Sequence, residues 1–115
     1  MPSARGRFHV YVVELDAAAC HPDVEVGRCV YVGETWKTPV KRLDDHKAGG
    51  VTASRVVWRH GVRLRSDLYR GWGPYENREI AVRAEARLAE ALVKRGYVVC
   101  NRPGPMRWRS KGLAD

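Results

Sequence analysis

Acidic side chains are scarce in this sequence. Asp and Glu number 13 against 21 Lys and Arg, a formal charge of +8 with neutral histidine. A surplus of that size points to an anionic partner, and nucleic acid is the commonest one. Biased arginine usage on a solvated surface gives the same count, so charge alone does not decide. Long apolar runs are missing too. No stretch approaches the ~18 residues of a membrane-spanning helix, so no membrane partner is expected. Only three cysteines occur, Cys20, Cys29 and Cys100. They cannot all pair within one chain, and the odd count without a secretion signal points to a reducing, cytoplasmic compartment. Ala17–Ala18–Ala19–Cys20 has the form of a lipoprotein processing site. The apolar run before it, Val10 to Val13, is too short for a signal core, and Glu14 and Asp16 interrupt the approach. Cys20–His21, Cys29 and Cys100 match no common zinc-finger spacing.

Several chemical signatures are absent as well. There is no glycine-rich phosphate loop, no His-Glu-x-x-His pattern and no EF-hand loop. A serine nucleophile elbow is missing too. Most nucleotide-hydrolase and protease readings fall with these. A helix-turn-helix is a poor match, because the two main helical segments lie some thirty residues apart with a strand between them.

What remains is a globular composition, 44% hydrophobic and 30% charged over 115 residues. That length suits one domain spanning 1–115, with basic ends at 1–7 and about 103–115 expected to be flexible. Phe8 to Leu15 alternates β-branched and aromatic residues, the pattern of a strand. Residues 16–27 read as an acidic loop or loose hairpin. Cys29 to Gly33 reads as a second strand pairing with the first. Thr38 and Pro39 supply an N-cap and a first helical residue, and that helix runs to about Ala48 before Gly49–Gly50. Residues 51–61 read as basic and irregular, with Val56–Val57–Trp58 able to pack or form a short strand or turn. Arg63 to Tyr69 reads as a third strand, and Gly71–Trp72–Gly73–Pro74 as a turn. A long helix over about Asn77–Arg95 carries Ile80, Ala84, Leu88, Ala91 and Leu92 as its apolar stripe. Tyr97 to Cys100 is a short extended piece. The pattern predicts the α+β class: a small three-stranded antiparallel sheet flanked by helices.

Five groups carry chemical potential. Tyr11 and Tyr31 each sit in Val-Tyr-Val, on adjacent strands, in phase with each other and with Gly33. The missing side chain at Gly33 leaves room for something to approach the sheet. Arg42 and His46 are four apart on the first helix and share a face. A guanidinium there can clamp a phosphate, and an imidazole can move a proton or orient a water. Glu85 has Ala81, Leu88 and Leu92 as helical neighbours, so it borders the apolar stripe. A carboxylate at that edge needs a partner, either a hard cation such as Mg²⁺ or an internal arginine.

Taken in order, these residues resemble the GIY-YIG nuclease family. His9–Val10–Tyr11 stands where the first triplet belongs, with its tyrosine but not its glycine, and Tyr31–Val32–Gly33 matches the second. Arg42 and His46 fall at the helix arginine and the histidine one turn later. Glu85, within Arg83-Ala84-Glu85-Ala86-Arg87-Leu88, falls at the metal-binding glutamate, and Asn101 at the terminal asparagine. The resemblance runs from about Val10 to Asn101. Departures are the missing first glycine, the long acidic loop between the triplets, Arg42 lying one residue further from Gly33 than in many members, and Glu34 directly after Gly33.

The resemblance implies an endonuclease that hydrolyses phosphodiester bonds with Mg²⁺ or Mn²⁺. Tyr11, Tyr31, Arg42, His46, Glu85 and Asn101 would form its site, with Glu85 on the metal. DNA is the expected partner, and a structure-selective role in repair or recombination is the expected setting. A basic stretch, Arg55, Arg59, Arg63, Arg65 and Arg70, can track the backbone, as can Arg102, Arg107, Arg109 and Lys111 beside Trp108. A non-catalytic nucleic-acid-binding module of the same fold, or a compact restriction or mobile-element nuclease, is the alternative.

Overall fold

Two β-branched segments build the centre of the molecule. The computed structural model describes residues 6–16, 19–20 and 23–100. In it β1 (His9–Leu15) and β2 (Cys29–Thr35) pair antiparallel, with Tyr11 opposite Gly33 and Val13 opposite Tyr31. Residues from Val10 to Leu15 are all buried, so β1 is covered on both faces, as a central strand must be. β3 (Gly61–Leu64) lies antiparallel on its other edge, and β4 (Val98–Val99) runs parallel to β2. The sheet order is β3-β1-β2-β4.

This corrects the expected three-stranded antiparallel sheet. The α+β class holds, but the sheet has four strands and is mixed. Val98 and Val99 join it because Cys100 N–H and Val98 N–H reach the carbonyls of Val30 and Arg28. Without that pairing the edge of β2 would carry orphan backbone groups. The stretch expected as a third strand, 63–69, is also divided. Strand geometry ends at Leu64, and Ser66–Tyr69 forms a single helical turn, α3. Residues 55–60, expected as irregular, form the short helix α2 (Arg55–His60). Ser54 caps it by accepting the Val57 N–H.

The two longer helices follow their local signals. In α1 (Pro39–Ala48) the Thr38 hydroxyl accepts the Lys41 N–H and Gly49 closes the helix at φ 78°. That left-handed conformation favours glycine. In α4 (Arg78–Lys94) the Asn77 side chain accepts the Ile80 N–H. Its buried residues are Ala81, Ala84, Leu88, Ala89 and Leu92. The stripe is therefore rotated from the expected one. Ile80, in the first turn, stays exposed, and Ala81 beside it is buried instead.

Cys20 and Cys29 form a disulfide that ties the acidic loop to the start of β2, and Cys100 is free and buried. The odd cysteine count therefore hid one pair. No helix among the described residues is long and apolar enough to cross a membrane.

Candidate active site

Strand register brings the two phenols together. Tyr11 and Tyr31 project from the same face of neighbouring strands, their ring centroids 6.1 Å apart. A Cβ placed on Gly33 would lie 2.7 Å from the Tyr11 Oη and 2.9 Å from Tyr31 Cε1. The room left by that glycine is thus filled by the tyrosines themselves, not by an incoming ligand.

His46 completes a triangle. Its ring centroid lies 6.2 Å from Tyr11 and 5.7 Å from Tyr31, and the side chain is fully buried. Nδ1 accepts the backbone N–H of Ser54 at 2.8 Å. A ring nitrogen that accepts carries no proton, so the neutral imidazole holds its proton on Nε2. That nitrogen donates to the Tyr11 hydroxyl at 2.8 Å. Tyr31 lies beside Tyr11, whose hydroxyl favours the Tyr31 phenolate. The chain of donors therefore runs from Ser54 through His46 to Tyr11, with Tyr31 against both rings.

Electrostatics separate the roles of these groups. Burial, then the Arg42 guanidinium, pushes His46 down to about 4, so it stays neutral at physiological pH. Burial and the neighbouring Tyr31 hold the Tyr11 phenol far above its ordinary value, with Arg42 pulling the other way. Tyr31 is also raised by burial, and by the Glu85 charge. It is drawn back by the Tyr11 hydrogen bond, by Arg42 and by the Ser54 hydroxyl. More groups favour the phenolate at Tyr31 than at Tyr11.

Arg42 is half-buried on α1, and its Nη2 donates to the Thr52 carbonyl at 2.8 Å. It lines a cleft of about 390 Å³, together with Glu34, Lys37 and Arg78. Glu85, on α4, is half-buried and pushed up to about 7 by burial and by the Glu34 charge. Glu34 is paired with Arg78 at 3.3 Å. Among the described residues no group of three or more Asp, Glu, His or Cys converges to hold a metal. Two carboxylates that repel each other at a half-buried site nevertheless fit Mg²⁺, which commonly takes one or two carboxylates and fills its shell with water and phosphate oxygens.

The structure thus gathers Tyr11, Tyr31 and His46 in contact, with Arg42 and Glu85 within electrostatic reach. Asn101, Arg102, Arg107, Arg109 and Lys111 lie outside the described residues. Of the basic stretch, Arg55, Arg59 and Arg70 are exposed. Arg63 is exposed but gives its Nε proton to Glu14 at 3.0 Å. Arg65 is largely covered, binding Asp67 and the Gly27 carbonyl. Sequence reasoning missed Ser54, whose contribution to His46 is a backbone N–H that no residue type announces. It also missed Lys37 and Arg78, ordinary cations until the fold puts them on one cleft. Protein-family models, curated proteins and solved structures contain no match to this chain, so the candidate site stands on its own residues.

Proposed function

We propose that this protein is a metal-dependent endonuclease of the GIY-YIG type, hydrolysing phosphodiester bonds in DNA. One observation carries the reading: a neutral, tautomer-fixed histidine hydrogen-bonded to one phenol, with a second phenol packed against both rings, stands beside an arginine and a carboxylate of raised pKa. A merely structural core has no need to place five such groups together, and clustered groups of displaced pKa mark candidate functional sites.

Arg42 binds the scissile phosphate, its planar fork matching two phosphate oxygens. Tyr31 takes the proton of the attacking water. A phenol gives little phenolate at its ordinary pKa, and burial raises Tyr31 further; the Tyr11 hydroxyl and the Arg42 charge offset part of that rise. Tyr11 serves as the donor because His46 Nε2 occupies its oxygen from the other side. His46 is a positioning residue in this scheme: neutral and saturated at both nitrogens, it orients Tyr11. Glu85 is the residue that would hold Mg²⁺, which when bound supplies positive charge to the phosphorane-like oxygens and the leaving group. Arg55, Arg59 and Arg70 extend the positive surface for the DNA backbone.

Incubating branched and linear DNA with Mg²⁺ tests the reading. Wild type should cut and Glu85→Ala should not, with binding retained. A wild type that binds DNA and never cuts it would instead favour a binding module.

A further inference from the structure

Trp36 is 66% exposed, although it is among the largest apolar side chains in the molecule. It sits on the turn between β2 and α1, and two interactions fix that turn. The buried Thr35 hydroxyl accepts the Lys37 N–H at 3.0 Å, and Thr38 caps α1 immediately after. The ring is thereby presented to solvent by rigid elements on either side.

Its surroundings are cationic. Trp36 lines the same cleft as Arg42, Lys37 and Arg78, with Glu34 as the acid among them. The Lys37 ammonium lies 5.6 Å from the Trp36 ring centroid. Lys37 and Arg78 are paired with Asp45 and Glu34, and Arg78 itself is largely exposed. An aromatic plane among phosphate-binding cations is the arrangement that binds single-stranded nucleic acid, where bases stack and the backbone meets positive charge. Continuous duplex keeps its bases stacked on each other and offers none to the ring.

We propose that Trp36 is the stacking platform for an unpaired nucleobase next to the phosphate held by Arg42, so that the site takes DNA bearing a flap or single-stranded segment. The proposal rests on the nuclease reading for the identity of that phosphate. It goes further in naming the substrate class and the residue that selects it.

The test is fluorescence-anisotropy titration of the full chain with labelled DNA in the presence of a chelator, so that binding is read without cutting. A duplex with a single-stranded flap is compared with a fully paired duplex and with inorganic polyphosphate, for wild type, Trp36→Ala and Trp36→Phe. Wild type should prefer the flap by about tenfold or more, the range of one stacked base. Trp36→Ala should lose that preference while its affinity for paired duplex and polyphosphate is unchanged, and Trp36→Phe should keep most of it. Equal weakening on all three probes, no weakening on any, or a wild type without flap preference overturns the proposal. Adding Mg²⁺ to the wild-type mixtures separates the two readings. Flap preference without cutting leaves Trp36 as a stacking site and removes the nuclease, whereas cutting without a Trp36-dependent preference removes the platform alone.

Discussion

In the proposed mechanism Glu85 is the residue whose charge state governs the site. Burial and Glu34 raise it to about 7, and a metal-binding carboxylate must be ionised. DNA cutting should therefore fall as pH drops from 8 to 6. Glu34→Gln removes the like charge and should move that acid limb to lower pH in a pH–rate profile. The same shift bears on stability. A carboxyl whose folded pKa is raised stabilises the fold when protonated, and this contribution is lost as pH rises from the unfolded value through about 7. Without metal, Glu85→Gln should raise the melting temperature at pH 8, by an amount worth at most roughly 3 kcal/mol, and leave it nearly unchanged at pH 4. Thermal melts at the two pH values check the sign. Glu85 was also the most legible site residue, because its helical neighbours Ala81, Leu88 and Leu92 are all buried. Trp36 was not legible: a lone exposed aromatic makes no pattern, and its meaning comes only from the cations the fold sets around it.

At the scale of elements, the site depends on how closely β1, β2 and α1 approach. Gly33→Ala would drive a methyl group into both tyrosine rings, and overpacking of this kind costs about 1–3 kcal/mol. Denaturant titration should show that loss, and cleavage should fall further than binding because the Tyr11–Tyr31 pairing is displaced. His46→Ala would leave the Tyr11 hydroxyl and Ser54 N–H without their partner and open a cavity, costing roughly 2–4 kcal/mol in the same titration. The elements with strong local signals could be read from sequence: the alternating β1 and β2, α1 with its Thr38 cap and Gly49 stop, and α4 with its helical apolar spacing. Those set by tertiary packing could not. α3 has four residues, too few for any periodicity to show, and although 97–100 read as extended, nothing local announced that Val98–Val99 would join the sheet. β4 exists because β2 has an edge to be paired, and α2 because Ser54 turns the chain beneath His46. The disulfide was missed for a related reason, since an odd cysteine count says nothing about which thiols the fold brings together.

The whole molecule carries a charge of +8, yet the fold uses some of its cations internally. Arg65 and Arg63 hold Glu14, and Arg65 also binds Asp67. Exposed Arg55, Arg59 and Arg70, with Arg42 and the acid-paired Lys37 and Arg78 of the cleft, are the candidates for phosphate contact. If about four of these meet phosphates, log K should fall against log salt with a slope of roughly −3 to −4. Arg59→Ala and Arg70→Ala should each make the slope shallower by about one, and Arg65→Ala should instead lower stability. The most direct measurement is single-turnover cleavage of flapped DNA with Mg²⁺ by wild type and Tyr31→Phe, with binding followed in parallel. In the proposed mechanism the phenol takes a proton and holds no part of the DNA, so affinity should be unchanged while the cleavage rate drops on the order of 10²–10³-fold. A Tyr31→Phe protein that cuts as fast as wild type would contradict the account.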